Sequence, residues 1–137
     1  MTENSKKVLK RLPHGADLLE ELTAAARTEN IRSGWLMAIG AVTAARIGYY
    51  DQGSREYTEK AIDNPMEICS CLGNISIKDN EIFVHAHITL AGKDGRVIGG
   101  HLSEGTTIFA AECCLEEVPA ESLIRHYDRV TGLSLWE

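Results

Sequence analysis

Residues 81–102 read Glu-Ile-Phe-Val-His-Ala-His-Ile-Thr-Leu-Ala-Gly-Lys-Asp-Gly-Arg-Val-Ile-Gly-Gly-His-Leu, and the way this stretch turns back on itself decides the fold. Two runs of strand-forming residues, 81–91 and 96–102, flank Gly92-Lys93-Asp94-Gly95. Glycines supply positive φ and Asp supplies local side-chain hydrogen bonds, which is the chemistry of a tight reversal. The segment therefore predicts an antiparallel hairpin. Alternate side chains on a strand share a face, so His85 and His87 point the same way. With the turn centred on Asp94, His101 stands directly opposite His87, where cross-strand Cβ atoms are about 4.5–5.5 Å apart. A four-residue loop or a bulge would shift the register and turn His101 to the other face.

In the centred register, three imidazoles reach one point, at the ~2.0–2.1 Å typical of zinc–nitrogen bonds. Three protein ligands leave a fourth coordination position for water or a ligand. Imidazole suits zinc, iron, nickel and copper alike, so spacing alone does not choose the metal. The competing reading is a set of polar residues on a solvated sheet face, or core histidines satisfied by neighbours.

Outward from the hairpin, the elements follow from pattern. Residues 6–12 form a first strand, broken at Pro13-His14-Gly15. Asp17 is placed to cap a helix over about 16–29, whose Leu18, Leu19, Leu22, Ala25 and Ala26 recur at helical spacing. Residues 33–42 are apolar and glycine-rich and read as a buried strand or a short helix, with the glycines favouring the strand. A second strand follows over 43–50, and a weaker, exposed one over 55–63. Residues 66–77 form another, with a turn at 78–80. Residues 106–118 fit helix or strand, and the antiparallel context selects strand. After Pro119 come 122–128 and 133–136, separated by a turn at Thr131-Gly132. The expected class is α+β: a mostly antiparallel β-sheet with one main N-terminal helix, in a single domain over 1–137 ordered from about 6 to 136.

Composition narrows the function. The chain has 137 residues, 44% of them hydrophobic, enough for one core. Its 20 acidic and 14 basic residues give a formal charge of −6. That balance opposes binding to a nucleic-acid backbone, which needs clustered cations. The densest basic group, Lys6, Lys7, Lys10 and Arg11, reads as a solvated strand end. No apolar run is long enough for a membrane span, and no signal-peptide core follows Met1, so the expected location is the cytoplasm. Cys69-Ser70-Cys71 and Cys113-Cys114 lack the spacing of a zinc knuckle or a thioredoxin-like site and read as small buried hydrophobes.

Other residues carry weaker signals. Glu67 and Glu112 each interrupt an apolar strand and are the candidates for a general acid or base, or for a solvated outer face. Gly99-Gly100 marks a close backbone approach to a ligand or neighbouring subunit, or else a tight strand crossing. Asp51, Arg125 and Asp128 are candidates for lining a cleft. Trp35 and Met37, in the apolar 34–42 stretch, are candidates for a subunit contact or for core packing.

Several of these motifs together resemble a known family. Arg11-Leu12-Pro13-x-Gly15-x-Asp17-Leu18, Ile39-Gly40-Ala41-Val42 and Met66-Glu67-Ile68 with Leu72-Gly73-Asn74-Ile75 run in its order. So do His85-x-His87-x-x-Leu90, Gly99-Gly100-His101-Leu102 and Tyr127-Asp128-x-x-Thr131-Gly132-Leu133. The series resembles the PPC (plants and prokaryotes conserved) domain. The resemblance implies an α+β domain assembled as a homotrimer. In plants the domain follows AT-hook motifs, and prokaryotic members are often labelled as predicted DNA-binding proteins. This sequence contains no Arg-Gly-Arg-Pro core, so direct nucleic-acid binding is not expected. The family's fold is in turn similar to that of acetolactate decarboxylase, which holds zinc with an H-x-H and a downstream His. That likeness implies zinc at His85, His87 and His101, but it does not carry the decarboxylase activity over. Three expectations follow: a trimer with a ligand-binding or regulatory role at the metal; a metal-dependent lyase or hydrolase acting on a small carboxylate or ester; and a DNA-associated protein.

Overall fold

The computed structural model describes residues 5–119 and 123–137. Its elements are β1 (Lys7–Leu12), α1 (Leu18–Thr28), β2 (Gly34–Asp51), β3 (Glu56–Ile62), β4 (Met66–Lys78), β5 (Glu81–Ala91), β6 (Val97–Leu102), β7 (Thr107–Glu117), β8 (His126–Tyr127) and β9 (Ser134–Leu135). The first seven strands form one antiparallel sheet in the order β1-β7-β2-β4-β5-β6, with β3 beside β2. The α+β reading, with one helix among the described residues, therefore holds.

β2 organises the sheet. Its first half runs between β4 and β7, and its second half pairs with β3. Ile47 and Gly48 also pair with Leu102 and His101 of β6, so strands β2, β4, β5 and β6 close on themselves. The sequence pattern divides this stretch into two strands, 33–42 and 43–50. It is one strand of 18 residues with an irregularity inside it. Gly40 takes φ +140°, and the register with β4 slips between Ala38 and Gly40. A Cβ at that position would collide with the Ala110 carbonyl of β7. The glycine thus bends the strand without ending it.

Helix α1 begins at Asp17, whose carboxylate accepts the Glu20 amide at 3.0 Å and also the amides of Gly105 and Thr106. One residue thus caps the helix and ties it to the start of β7. The helix buries Leu18, Leu22, Ala25 and Ala26, as its stripe predicts, against Leu36, Ile75, Ile88, Leu90, Leu102, Ile108 and Leu115. Each such aliphatic side chain contributes about 1.5–3 kcal/mol on burial.

Two other expectations change. The C-terminal pairing is limited to His126–Tyr127 with Ser134–Leu135, and residue 122 lies outside the described residues. The chain returns over β4 chiefly through Ile124 beside Ile77 and through the Arg125 side chain. Of the cysteines, Cys71 and Cys113 are buried and Cys114 is half-buried, but Cys69 is exposed. Burial pushes the Cys71 thiol up to about 12, which makes it an unreactive core group.

Candidate metal centre

The hairpin closes in the centred register. His87 pairs with His101, Ala91 pairs with Val97, and the Gly92 amide donates to the Arg96 carbonyl at 3.0 Å. Gly99 and Gly100 allow β6 to sit between two strands. A Cβ on Gly99 would lie 2.6 Å from the Ile88 carbonyl oxygen, and one on Gly100 would lie 2.6 Å from that of Gly48. The tight strand crossing is the reading the glycines satisfy, and it fixes His101 against β2.

The three imidazoles meet. Ring centroids are 5.1 Å apart for His85–His87 and His85–His101, and 5.7 Å for His87–His101. One nitrogen from each ring lies within 4.8 Å of the others. The Nε2 atoms of His85 and His87 are 3.2 Å apart, close to the edge of about 3.3 Å of a tetrahedron with zinc–nitrogen bonds of ~2.0–2.1 Å. Among the described residues, the one buried side-chain polar atom without a hydrogen-bond partner is Nδ1 of His101. A buried polar atom left unpaired costs about 1–3 kcal/mol, so a bond to a ligand would offset a real penalty.

Electrostatics favour the form a metal needs. Burial, then His101, His87 and Arg125, hold His85 down to about 4. Burial and His87 also lower His101. Both rings are therefore neutral at neutral pH, as coordinating imidazole must be. The donor set and its spacing fit a divalent metal of the zinc type.

A cleft of about 330 Å³ opens beside His85 and His101, walled by Tyr50, Tyr57, Phe83, Arg125 and the 132–135 segment. Tyr57 pairs with Tyr50 across β2 and β3, and its ring centroid is 5.1 Å from that of His101. Neither tyrosine was singled out from sequence, although each falls on the strand alternation that carries it to this face. Arg125 lines the cleft as expected. Asp51 and Asp128 do not line it. The Asp51 carboxylate accepts the Ser54 amide, and the Asp128 carboxylate accepts from the Thr131 amide and hydroxyl. Glu67 and Glu112 are both exposed and lie outside the cleft lining. Glu112 faces Ile39 and Arg11 across its strand neighbours.

Comparison with known proteins fits this geometry. The chain superposes on the metal-containing protein AF0104 of Archaeoglobus fulgidus with a TM-score of 0.91 and 42% identity, covering 96% of this chain and 93% of that one. It matches a plant- and prokaryote-conserved (PPC) protein of Pyrococcus horikoshii with a TM-score of 0.91 and 36% identity, over 96% and 91% of the two chains. It is also 31% identical over 124 residues to the bifunctional protein GlmU of a Synechococcus strain. That match takes in 89% of this chain but only 18% of the relative's length. A family model describing the Plants and Prokaryotes Conserved (PCC) domain matches residues 1–119, and the chain belongs to that family.

Proposed function

We propose that the chain is a cytoplasmic, homotrimeric metalloprotein in which His85, His87 and His101 hold one divalent metal, zinc first among the candidates, and present it to a small ligand. The observation that carries this reading is the convergence of three imidazoles around a point, one of them with a buried nitrogen that has no other partner among the described residues. Bound zinc supplies Lewis acidity and lowers the pKa of a coordinated water to about 7. The chain's own residues do the rest. β5 and β6 fix the ring spacing, Tyr57 packs against His101, and the cleft admits the ligand from the Arg125 side.

A binding or regulatory role is favoured over hydrolysis or decarboxylation, because Glu67 and Glu112 do not border the cleft. Some structural neighbours carry provisional DNA-binding names. The charge of −6 on this chain favours a small ligand over a duplex.

Assembly is supported by the sheet's outer face. Leu9, Trp35, Met37, Ile39, Leu72 and Phe109 are each more than half exposed there. Together they present several hundred Å² of apolar surface, more than a monomer usually leaves open. No helix among the described residues is long and apolar enough to cross a membrane. All four cysteines are unpaired, which suits a reducing compartment.

Metal analysis of the purified chain tests the centre. The expected result is one zinc per chain in the wild type and an affinity lower by more than about 100-fold in His87→Ala, since even residues that only orient ligands are worth about 10–100-fold. Equal metal content in the two proteins would sink the reading.

A further inference from the structure

Arg125 is a buried cation with no anion beside it among the described residues. It is 8% exposed, and its three hydrogen bonds all go to neutral acceptors. Nε donates to Ser76 Oγ at 2.7 Å, Nη1 to the Ser134 carbonyl at 2.8 Å and Nη2 to Asn74 Oδ1 at 2.8 Å. A guanidinium has five N–H donors and stays charged in proteins, so two donors are left over. Burying an uncompensated charge is expensive. A clamp that merely held the C-terminal segment on β4 would be cheaper with a carboxylate in the set. Among the described residues Arg125 takes part in no ion pair.

The surroundings repeat the pattern. Among the described residues the cleft lining holds three cations, Arg55, Lys78 and Arg125, and no Asp or Glu, in a chain whose net charge is −6. Arg55 is occupied by the carbonyls of Arg129 and Val130. Lys78 has no such partner among the described residues, and its Nζ lies 5.0 Å from the Phe83 ring centroid. The Arg125 guanidinium lies 5.3 Å from the same ring and 4.6 Å from that of Trp136. Those contacts hold its plane in a fixed orientation. The site also borders the histidines. Asn74, which Arg125 grips, is the cross-strand partner of His85.

We propose that Arg125 is the anion-recognition residue of this cleft and that the ligand is a small organic carboxylate. A planar guanidinium with two spare N–H groups matches a planar carboxylate by paired, charge-assisted hydrogen bonds. The aromatic and leucine walls suit a carbon body, and a cleft of about 330 Å³ is at the small end of ligand sites. The proposal rests on the metal-centre reading only for the ligand's other end, which faces the histidines. The carboxylate contact belongs to the metal-free chain as well.

Calorimetric titration of the full chain, metal-free and zinc-loaded, with lactate, benzoate, their neutral amides and inorganic phosphate is the test. Both carboxylates are expected to bind the metal-free protein, and the amides are not. Arg125→Gln should weaken carboxylate binding by at least about tenfold while zinc stoichiometry is unchanged. Lys78→Glu makes none of the Arg125 hydrogen bonds, so it keeps the test open if Arg125→Gln does not fold. It should weaken binding by about threefold or more at an unchanged melting temperature. Equal carboxylate affinity in wild type and the folded variants overturns the proposal. So does binding of phosphate alone, or of no carboxylate at all. A wild type that takes up no zinc when metal is offered, yet binds carboxylate through Arg125, would remove the metal reading and leave this one standing.

Discussion

Two regions of the same sheet face look outward and differ in kind. A single cross-strand row runs Leu9, Cys114, Met37, Leu72, His87, His101, from β1 to β6. Its β1-to-β4 end is largely aliphatic, with Leu9, Met37 and Leu72 each more than half exposed. Its β5–β6 end is imidazole, partly buried, with one nitrogen unsatisfied. Directional polar atoms that converge with one of them unpaired call for a ligand. Non-directional apolar area left in water calls for another surface to cover it. One row thus joins the two, and the aliphatic strip meets the imidazole cluster at Leu72–His87.

The sharpest way to break this comparison is Met37→Glu, in the middle of the aliphatic half. A carboxylate buried there without a partner costs several kcal/mol in every contact made. If the wild type sediments as the proposed trimer, the variant should sediment as a monomer at the same concentration. Zinc per chain should not change, because one chain supplies all three imidazoles. Unchanged sedimentation would show that the strip is not a subunit contact. Loss of zinc together with assembly would show that the two halves of the row are one site.

The two regions were unequally legible in the sequence. The histidine hairpin was the more legible: Gly92-Lys93-Asp94-Gly95 marks the reversal and a period of two puts His85 and His87 on one face, while the place of His101 rested on a turn centred at Asp94, which is the register observed. In Gly34–Val42 the apolar residues run without alternation, the pattern of a strand covered on both sides. In one chain only one side is covered: Leu36 and Ala38 are buried while Trp35, Met37 and Ile39 are not. Core and interface residues have the same chemistry, so the sequence could name Trp35 and Met37 without saying which role they had. The cleft was less legible still. Tyr50 and Tyr57 face each other in one hairpin, but Arg125 and the histidines come from distant segments. They meet only because β2 continues past Gly40 and because the chain after residue 122 returns over β4. Glu67 and Glu112 stood out as charges in apolar strands, yet that pattern is also what an exposed alternate position produces.

A second substitution tests how rigidly the hairpin is held against the sheet. Gly73 faces Ala86 across β4 and β5, and a Cβ there would overlap the His85 carbonyl oxygen and lie 2.7 Å from the Ala86 Cβ. Gly73→Ala should cost about 3 kcal/mol in urea unfolding and weaken zinc about tenfold by displacing His85. Gly95→Ala is the control. It meets nothing within 4 Å, and its φ of +79° alone should cost about 1 kcal/mol with the zinc affinity kept. Equal effects on zinc from both variants would mean that ring spacing is not set by the β4–β5 contact.

The smallest expected effect is a pH dependence confined to the imidazole half. His85 is held down to about 4, mainly by burial, and His101 is also lowered. An unfolded histidine takes up its proton near 6.5. Above that pH neither state is protonated, and these groups add nothing to the slope. As pH falls from 6.5 towards 4, the unfolded chain binds protons that folded His85 refuses, so stability of the metal-free protein declines. Urea midpoints of the metal-free wild type and of His85→Asn, followed from about pH 7.5 to 4.5, isolate the contribution from that of the carboxylates, which titrate lower. The variant's curve should be flatter between 6.5 and 4.5. Parallel curves would mean that His85 is as easily protonated in the fold as in water. The imidazole half would then be as solvated as the aliphatic half, and the row would no longer divide into a ligand end and a partner end.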